Sequence, residues 1–182
     1  FGVNDGEWKV QNTYTFEDVV ATLNGVYPHD WTTFLRTRLD GKTGLTGGIE
    51  ASGWKLVFKD TPTAYAKANT RWGGADFVYS LGLAVAKDGS IGDVRWDGPA
   101  FNAGIGSGAT IIAVNGMAYD NDVLEDAVKA AKDGTMPIEL ILKEFDRYRT
   151  VKIDYHGGLR YPHLERIKGK PDYLTPILTA RK

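Results

Sequence analysis

Cysteine is absent from the 182 residues, methionine occurs twice and histidine three times. Without cysteine the chain builds no disulfide, no thiolate metal site and no cysteine nucleophile, an absence that suits a reducing or an oxidising compartment equally. The histidines His29, His156 and His163 exclude an H-E-x-x-H zinc helix, because His29 is followed by Asp30-Trp31-Thr32-Thr33 with no second histidine four residues on. His156 and His163 stand seven apart in a Gly- and Pro-containing tail, which is no recognised ligand spacing, and read as structural or surface residues. No G-x-S-x-G occurs. Gly106-Ser107-Gly108 lacks the spacing of a nucleophile elbow and reads as a turn before Thr110.

An excess of charge of either sign is also missing. With 22 basic against 23 acidic residues and a net charge of -1, the chain offers no field for nucleic acid or anionic lipid, and neither is expected as a partner. No run approaches the roughly 18 apolar residues of a membrane span, and no basic-then-apolar leader opens the chain, so it reads as soluble with no membrane partner. It begins with Phe1 rather than Met, as a fragment of a longer protein would. A hydrophobic content of 42% is ordinary for a folded globular protein, and the length holds one large domain or two small ones.

The elements that are present begin with Thr15 and Asp18, a capping pair before Phe16, Val19, Val20 and Leu23 at helical spacing. After Pro28, Asp30 caps a second helix whose Trp31, Phe34, Leu35 and Leu39 share a face. Trp54 to Lys59 alternates as a strand, and Tyr65 to Thr70 fits a short helix or an ordered connector. A domain boundary is expected near Gly73-Gly74. From Phe77 the pattern changes to short strands: Leu81 to Ala86 and Ile91 to Trp96 flank Asp88-Gly89, and Thr110 to Val114 ends at Asn115-Gly116. Asn121 to Lys132 is the one convincing helix of this part, with Leu124, Ala127, Val128 and Ala131 on one face and Glu125 and Lys129 paired on the other. Ile138 to Lys143 and Arg147 to Tyr155 form a last hairpin about Phe145-Asp146. The tail from His156 to Lys182 carries too many apolar residues for a disordered segment and is expected to dock.

One constellation points to binding. In Tyr79-Ser80-Leu81-Gly82-Leu83 a glycine between apolar residues at a strand entrance lets consecutive backbone N–H groups turn toward one point, a concavity suited to a carboxylate. With Asp97-Gly98-Pro99-Ala100, Ala103-Gly104, Gly108 and Asn115-Gly116 downstream, this resembles a PDZ domain. If Leu83 is the start of an edge strand facing the helix, a peptide adds to that edge as a further strand. The backbone amides of Leu81, Gly82 and Leu83 would then hold its terminal carboxylate, with Ser80 among the peptide-binding residues of this entrance, and Val85, Leu124, Ala127 and Val128 would receive its side chains. The competing account makes these residues core between sheet and helix. The carboxylates nearby, among them Asp93, Asp97, Asp120, Asp122, Glu125 and Asp126, read as solvated surface, with Asp120 and Asp122 favoured at a helix entrance. Trp31 and Trp54 fall on core patterns, whereas Trp8, Trp72 and Trp96 stay open.

Longer strings carry a more specific resemblance. Tyr27-Pro28-His29-Asp30-Trp31 with Phe34-Leu35 and Arg38-Leu39-Asp40, Asp60-Thr61-Pro62 with Tyr65, and Asp154 through Pro162 look like the C-terminal part of the glycyl aminopeptidase family of zinc metallopeptidases. The resemblance implies an α+β architecture. Residues 1–74 would be a helical segment like the end of a metallopeptidase catalytic domain, residues 75–155 a PDZ-like, partly open β-barrel with one main helix, and 156–182 a docked C-terminal tail. It also implies a non-catalytic region, with no catalytic or metal residue in this chain and zinc held in a part of the parent enzyme that this sequence lacks. The partner would be a peptide or protein C-terminus, or the parent's own catalytic domain. Two other readings stand beside it: a free-standing PDZ adaptor or the PDZ unit of a serine protease, and a structural module whose groove is filled by its own tail.

Overall fold

The computed structural model describes residues 13–41, 47–70 and 73–180. The chain divides into two compact units, residues 1–48 and 49–182. In the first, α1 (Phe16–Val26) starts from a capping box: the Thr15 hydroxyl oxygen accepts the Asp18 N–H at 3.2 Å, while the Asp18 carboxylate accepts the Thr15 N–H at 2.8 Å. Its half-buried positions are Phe16, Val19, Val20 and Leu23, the face read from the spacing. In α2 (Trp31–Leu39) the Asp30 carboxylate accepts the Thr33 N–H at 3.0 Å, and Trp31 meets Phe34 edge-on at 5.7 Å. Leu39, expected on the same face, is exposed in the last turn. A five-residue helix, α3 (Gly47–Ala51), straddles the division.

The second unit begins with β1 (Trp54–Lys59), which pairs antiparallel with β9 (Tyr161–Arg166) from Trp54 opposite Arg166 to Lys59 opposite Tyr161. That ladder explains why the division falls at residue 48 and not at Gly73-Gly74. It ties residues 49–70, including α4 (Ala64–Asn69), to the far end of the chain, and it makes a regular strand of part of the tail. Long-range bonds reinforce it: the Trp54 indole N–H donates to the Asp172 carboxylate at 3.0 Å, and a ring nitrogen of His163 lies 2.7 Å from the Thr61 carbonyl oxygen. Asp172 also receives the Thr175 N–H and hydroxyl at the start of α7 (Thr175–Leu178).

Between these ends lie two open sheets. The first is ordered β2 (Ala75–Phe77), β3 (Leu83–Val85), β4 (Ile91–Val94); the second is ordered β6 (Met117–Ala118), β5 (Thr110–Val114), β7 (Ile138–Glu144), β8 (Arg147–Ile153). The Ser90–Thr110 bridge joins them, flanked by hydrogen bonds from the Ile111 N–H to the Gly89 carbonyl and from the Ile91 N–H to the Ala109 carbonyl, both at 2.8 Å, so the expected partly open barrel is two open sheets linked along one short edge. A short helix, α5 (Pro99–Asn102), follows β4, and α6 (Asn121–Ala130) covers the core. Asn115 and Gly116 both have positive φ, 48° and 83°, as the two-residue β5–β6 turn requires. On β7, Ile138, Leu140 and Leu142 are fully buried and pack in one cluster with Leu124, Ala127 and Val128 of α6. Burial of each large side chain contributes about 1.5–3 kcal/mol, which is why this alternating strand and this amphipathic helix define the interior. Among the described residues no helix is long and apolar enough to cross a membrane.

Candidate peptide-binding groove

The loop Val78–Gly82 connects β2 to β3, and the residues singled out in it do meet the downstream turn. Gly82 has φ +80°, and a Cβ built on it would stand 3.2 Å from Gly98 Cα and 3.5 Å from Pro99 Cδ. The Ala100 N–H donates to the Leu81 carbonyl and the Arg95 N–H to the Gly82 carbonyl, both at 2.8 Å. The Asp97-Gly98-Pro99-Ala100 turn therefore clamps the loop from behind, with Asp97 itself at φ 56°. Ser80 is buried, and its hydroxyl oxygen accepts the Arg160 N–H at 3.1 Å.

The amide concavity exists and is filled from within. Both the Ser80 N–H, at 3.0 Å, and the Gly82 N–H, at 2.9 Å, donate to the Phe77 carbonyl oxygen, so Gly82, the middle of the three amides expected to hold a carboxylate, is already engaged within the chain. Behind that carbonyl, β2 runs antiparallel to β3 in the register Ala75 to Val85, Asp76 to Ala84 and Phe77 to Leu83. The Asp76 carboxylate accepts the Val78 N–H at 3.0 Å and fixes the corner. The start of the strand is held by the Asn121 side-chain amide, which donates to the Gly73 carbonyl at 2.9 Å.

The expected free edge at Leu83 is thus a correction. With β2 on one side and β4 on the other, β3 is the central strand of its sheet. All eight residues proposed from sequence are brought to one place, but as interior. Leu81, Leu83, Val85, Leu124, Ala127 and Val128 belong to one buried cluster that also contains Phe77, which is 2% exposed. Any incoming strand must displace β2. That exposes the Phe77 ring, at about 1.5–3 kcal/mol, and breaks hydrogen bonds worth about 0.5–1.5 kcal/mol each, against a competitor tethered at roughly millimolar effective concentration. Phe77 and β2 are the residues that sequence reasoning misses. The available signal is Phe77 itself, a large apolar residue three positions past a Gly-Gly pair.

The titratable groups around the groove act structurally. Asp120 caps α6 by accepting the Asp122 N–H at 2.9 Å, and Asp88 accepts the Ser90 N–H at 3.0 Å, which holds its carboxyl below the usual range. Burial, with the Asp120 and Asp88 charges nearby, pushes the Tyr119 phenol up to about 12. Among the described residues no three of His, Asp and Glu gather closely enough to hold a metal ion. His29 stacks edge-on against Trp31, and His156 lies between the Ala131 carbonyl, at 2.8 Å, and Asp154, at 2.9 Å. Trp96 stacks on Phe101 at 4.4 Å with most of its surface in water, whereas Trp8 and Trp72 lie outside the described residues.

No protein-family model and no curated protein matches the chain. Solved structures do. The PDZ domain of HtrA3, bound to a phage-derived ligand of sequence FGRWV, aligns at 17% identity over 62% of this chain and 91% of its own, with a TM-score of 0.32. An aminopeptidase N family protein from Idiomarina loihiensis aligns at 17% identity over 92% of this chain, with a TM-score of 0.53. This chain covers 29% of the length of that protein. The likeness to the latter is one of fold: nearly the whole chain has a counterpart inside a larger protein.

Proposed function

We propose that this chain is the non-catalytic C-terminal region of a zinc aminopeptidase of the glycyl aminopeptidase type, and that its PDZ-like module is closed on its own β2. The observation that carries the closed module is the Phe77 carbonyl seated on the Ser80 and Gly82 amides, with β3 paired on both sides. The larger parent is supported by a counterpart for 92% of the chain in a protein more than three times as long, and by the three strings quoted from the sequence. In this reading zinc and the hydrolytic machinery lie outside residues 1–182, and the module serves as an internally docked support.

Two measurements test the two halves separately. The gene around this sequence should encode an H-E-x-x-H helix upstream; its absence overturns the parentage. The peptide acetyl-Ala-Asp-Phe with a free carboxylate, copying β2, should leave the amide signals of Leu83 and Val85 in the full chain unmoved up to millimolar concentration. Saturable shifts of those two signals at micromolar concentration would overturn the closed groove, since an external strand would then outcompete a tethered copy of itself.

A further inference from the structure

Beyond the groove, the pairing of β1 with β9 brings residues 58–61 against residues 157–160, about a hundred positions away in sequence, around a cavity of 590 Å³. Three cations from different elements line it: Lys59 at the end of β1, Lys132 after α6, and Arg160 before β9. Asp60 is the one acid in the lining, and Phe58 and Leu159 supply apolar surface. Lys59 is shared with Glu165 at 2.9 Å. Neither Lys132 nor Arg160 has a carboxylate within 4.0 Å among the described residues.

These two cations are held in place by other means. The Arg160 guanidinium lies over the Phe58 ring at 4.4 Å, and that ring rests on Tyr79 at 5.4 Å. Its backbone N–H is anchored on the buried Ser80 hydroxyl. Stacking engages the face of the guanidinium and leaves its in-plane N–H donors for a planar acceptor, the arrangement that suits bidentate capture of a carboxylate. The Lys132 methylenes run so close over Gly158 that a Cβ there would sit 2.9 Å from Lys132 Cδ, and Gly158 has φ +66°. Only glycine permits that approach.

We propose that this cavity binds a carboxylate carried on a peptide. Two features favour a peptide over a small inorganic anion. The volume and the Phe58 and Leu159 surfaces accommodate an organic body. Asp60, whose carboxylate accepts the Thr61 hydroxyl at 3.2 Å, would repel a second negative charge on the ligand and offer its other oxygen to a peptide N–H.

The test uses the full chain and ¹H–¹⁵N amide shifts, with three probes: acetyl-Ala-Phe-Glu-amide, acetyl-Ala-Phe-Ala with a free terminus, and inorganic phosphate. The expected result is saturable shifts at Thr61, Gly157 and Arg160 with one or both peptides, the stronger of the two telling a side-chain from a terminal carboxylate. Affinity should fall about tenfold in R160Q and in K132Q and weaken with salt. Both side chains line the cavity, so both variants should keep the parent's spectrum elsewhere; R160K, which retains the charge but not the fork, should also bind less. Absence of shifts, shifts indifferent to these substitutions, or phosphate binding as tightly as either peptide overturns the proposal. So do shifts centred on Leu83 and Val85, which would report an opened groove instead and count against the closed module of the proposed function.

Discussion

Replacing Gly82 by alanine tests whether the loop geometry is demanded by the chain or merely tolerated. Three costs combine. A non-glycine residue at φ +80° costs about 1–2 kcal/mol from the clash of Cβ with the backbone. The added methyl meets Gly98 Cα at 3.2 Å, and since that neighbour is backbone in a clamped turn, it must shift by a few tenths of an ångström. Such a shift strains the Gly82 N–H bond to Phe77 and the Arg95 N–H bond to the Gly82 carbonyl, each worth about 0.5–1.5 kcal/mol. If both bonds are lost the sum is about 2–5 kcal/mol. Two other glycines separate the terms. Gly104 has φ +77° with nothing within 4 Å of where an added methyl would sit, so G104A should lose only the conformational part, about 1–2 kcal/mol. Gly106 has neither a positive φ nor a neighbour, so G106A should be neutral or gain up to about 1 kcal/mol through the unfolded state. Urea titration followed by the amide signals of Leu83 and Leu140 reads the second unit specifically. If G82A is no costlier than G104A, the turn does not clamp the loop and the account of the concavity fails.

Three further outcomes are expected. F77A should lose about 3–5 kcal/mol as a large-to-small core substitution, and acetyl-Ala-Asp-Phe, which leaves Leu83 and Val85 of the parent chain unmoved, should shift them in the variant and recover part of that stability; a folded variant whose Leu83 and Val85 ignore the peptide refutes the account of β2 as occupant of the groove. His156 is raised above its ordinary value, first by its bond to the Ala131 carbonyl and then by Asp154, so its contribution to stability is present below about pH 6.5 and lost as pH rises through its folded midpoint. An imidazole titration by NMR should place that midpoint above 6.5 and show D154N lowering it only in part; a midpoint at or below 6.5 contradicts the contacts. Asp172 is held well below the usual carboxylate range, first by the Trp54 indole N–H, then by Thr175, with Arg166 adding charge. Its contribution is therefore present above about pH 3.9 and lost only as pH falls through its lower folded value, and D172N should speed tryptic cleavage at Arg166 and Lys168 at neutral pH.

What can be read from sequence is whatever is decided locally. The Thr15–Asp18 capping box, the Asn115-Gly116 turn, the alternation of β7 and the apolar face of α6 each depend on residues within a few positions of one another, and each stands in the fold. The β1–β9 ladder depends on two segments about a hundred residues apart, so neither the division at residue 48 nor the cavity at Phe58 and Arg160 has a local signature. Likewise β2 spans three residues beside Gly73-Gly74, too short to show a period of two, and its sequence reads as linker.

The groove shows the deeper limit. Apolar spacing reports which side chains leave water, and on that point Leu83, Val85, Leu124 and Val128 do belong together. Spacing is silent on what covers them, because a tethered strand and a free peptide meet the same physical demands: one antiparallel backbone, one buried apolar side chain, one oxygen for the loop amides. Ala75-Asp76-Phe77 meets all three, with the Phe77 carbonyl standing in for a carboxylate oxygen. It has no formal charge, so the loop forgoes the stronger charge-assisted bonds that a true chain terminus would offer. That difference is the thermodynamic margin available to any external ligand. Tethering opposes it at roughly millimolar effective concentration, and the choice between a closed and an opened groove comes down to which of these two terms is larger.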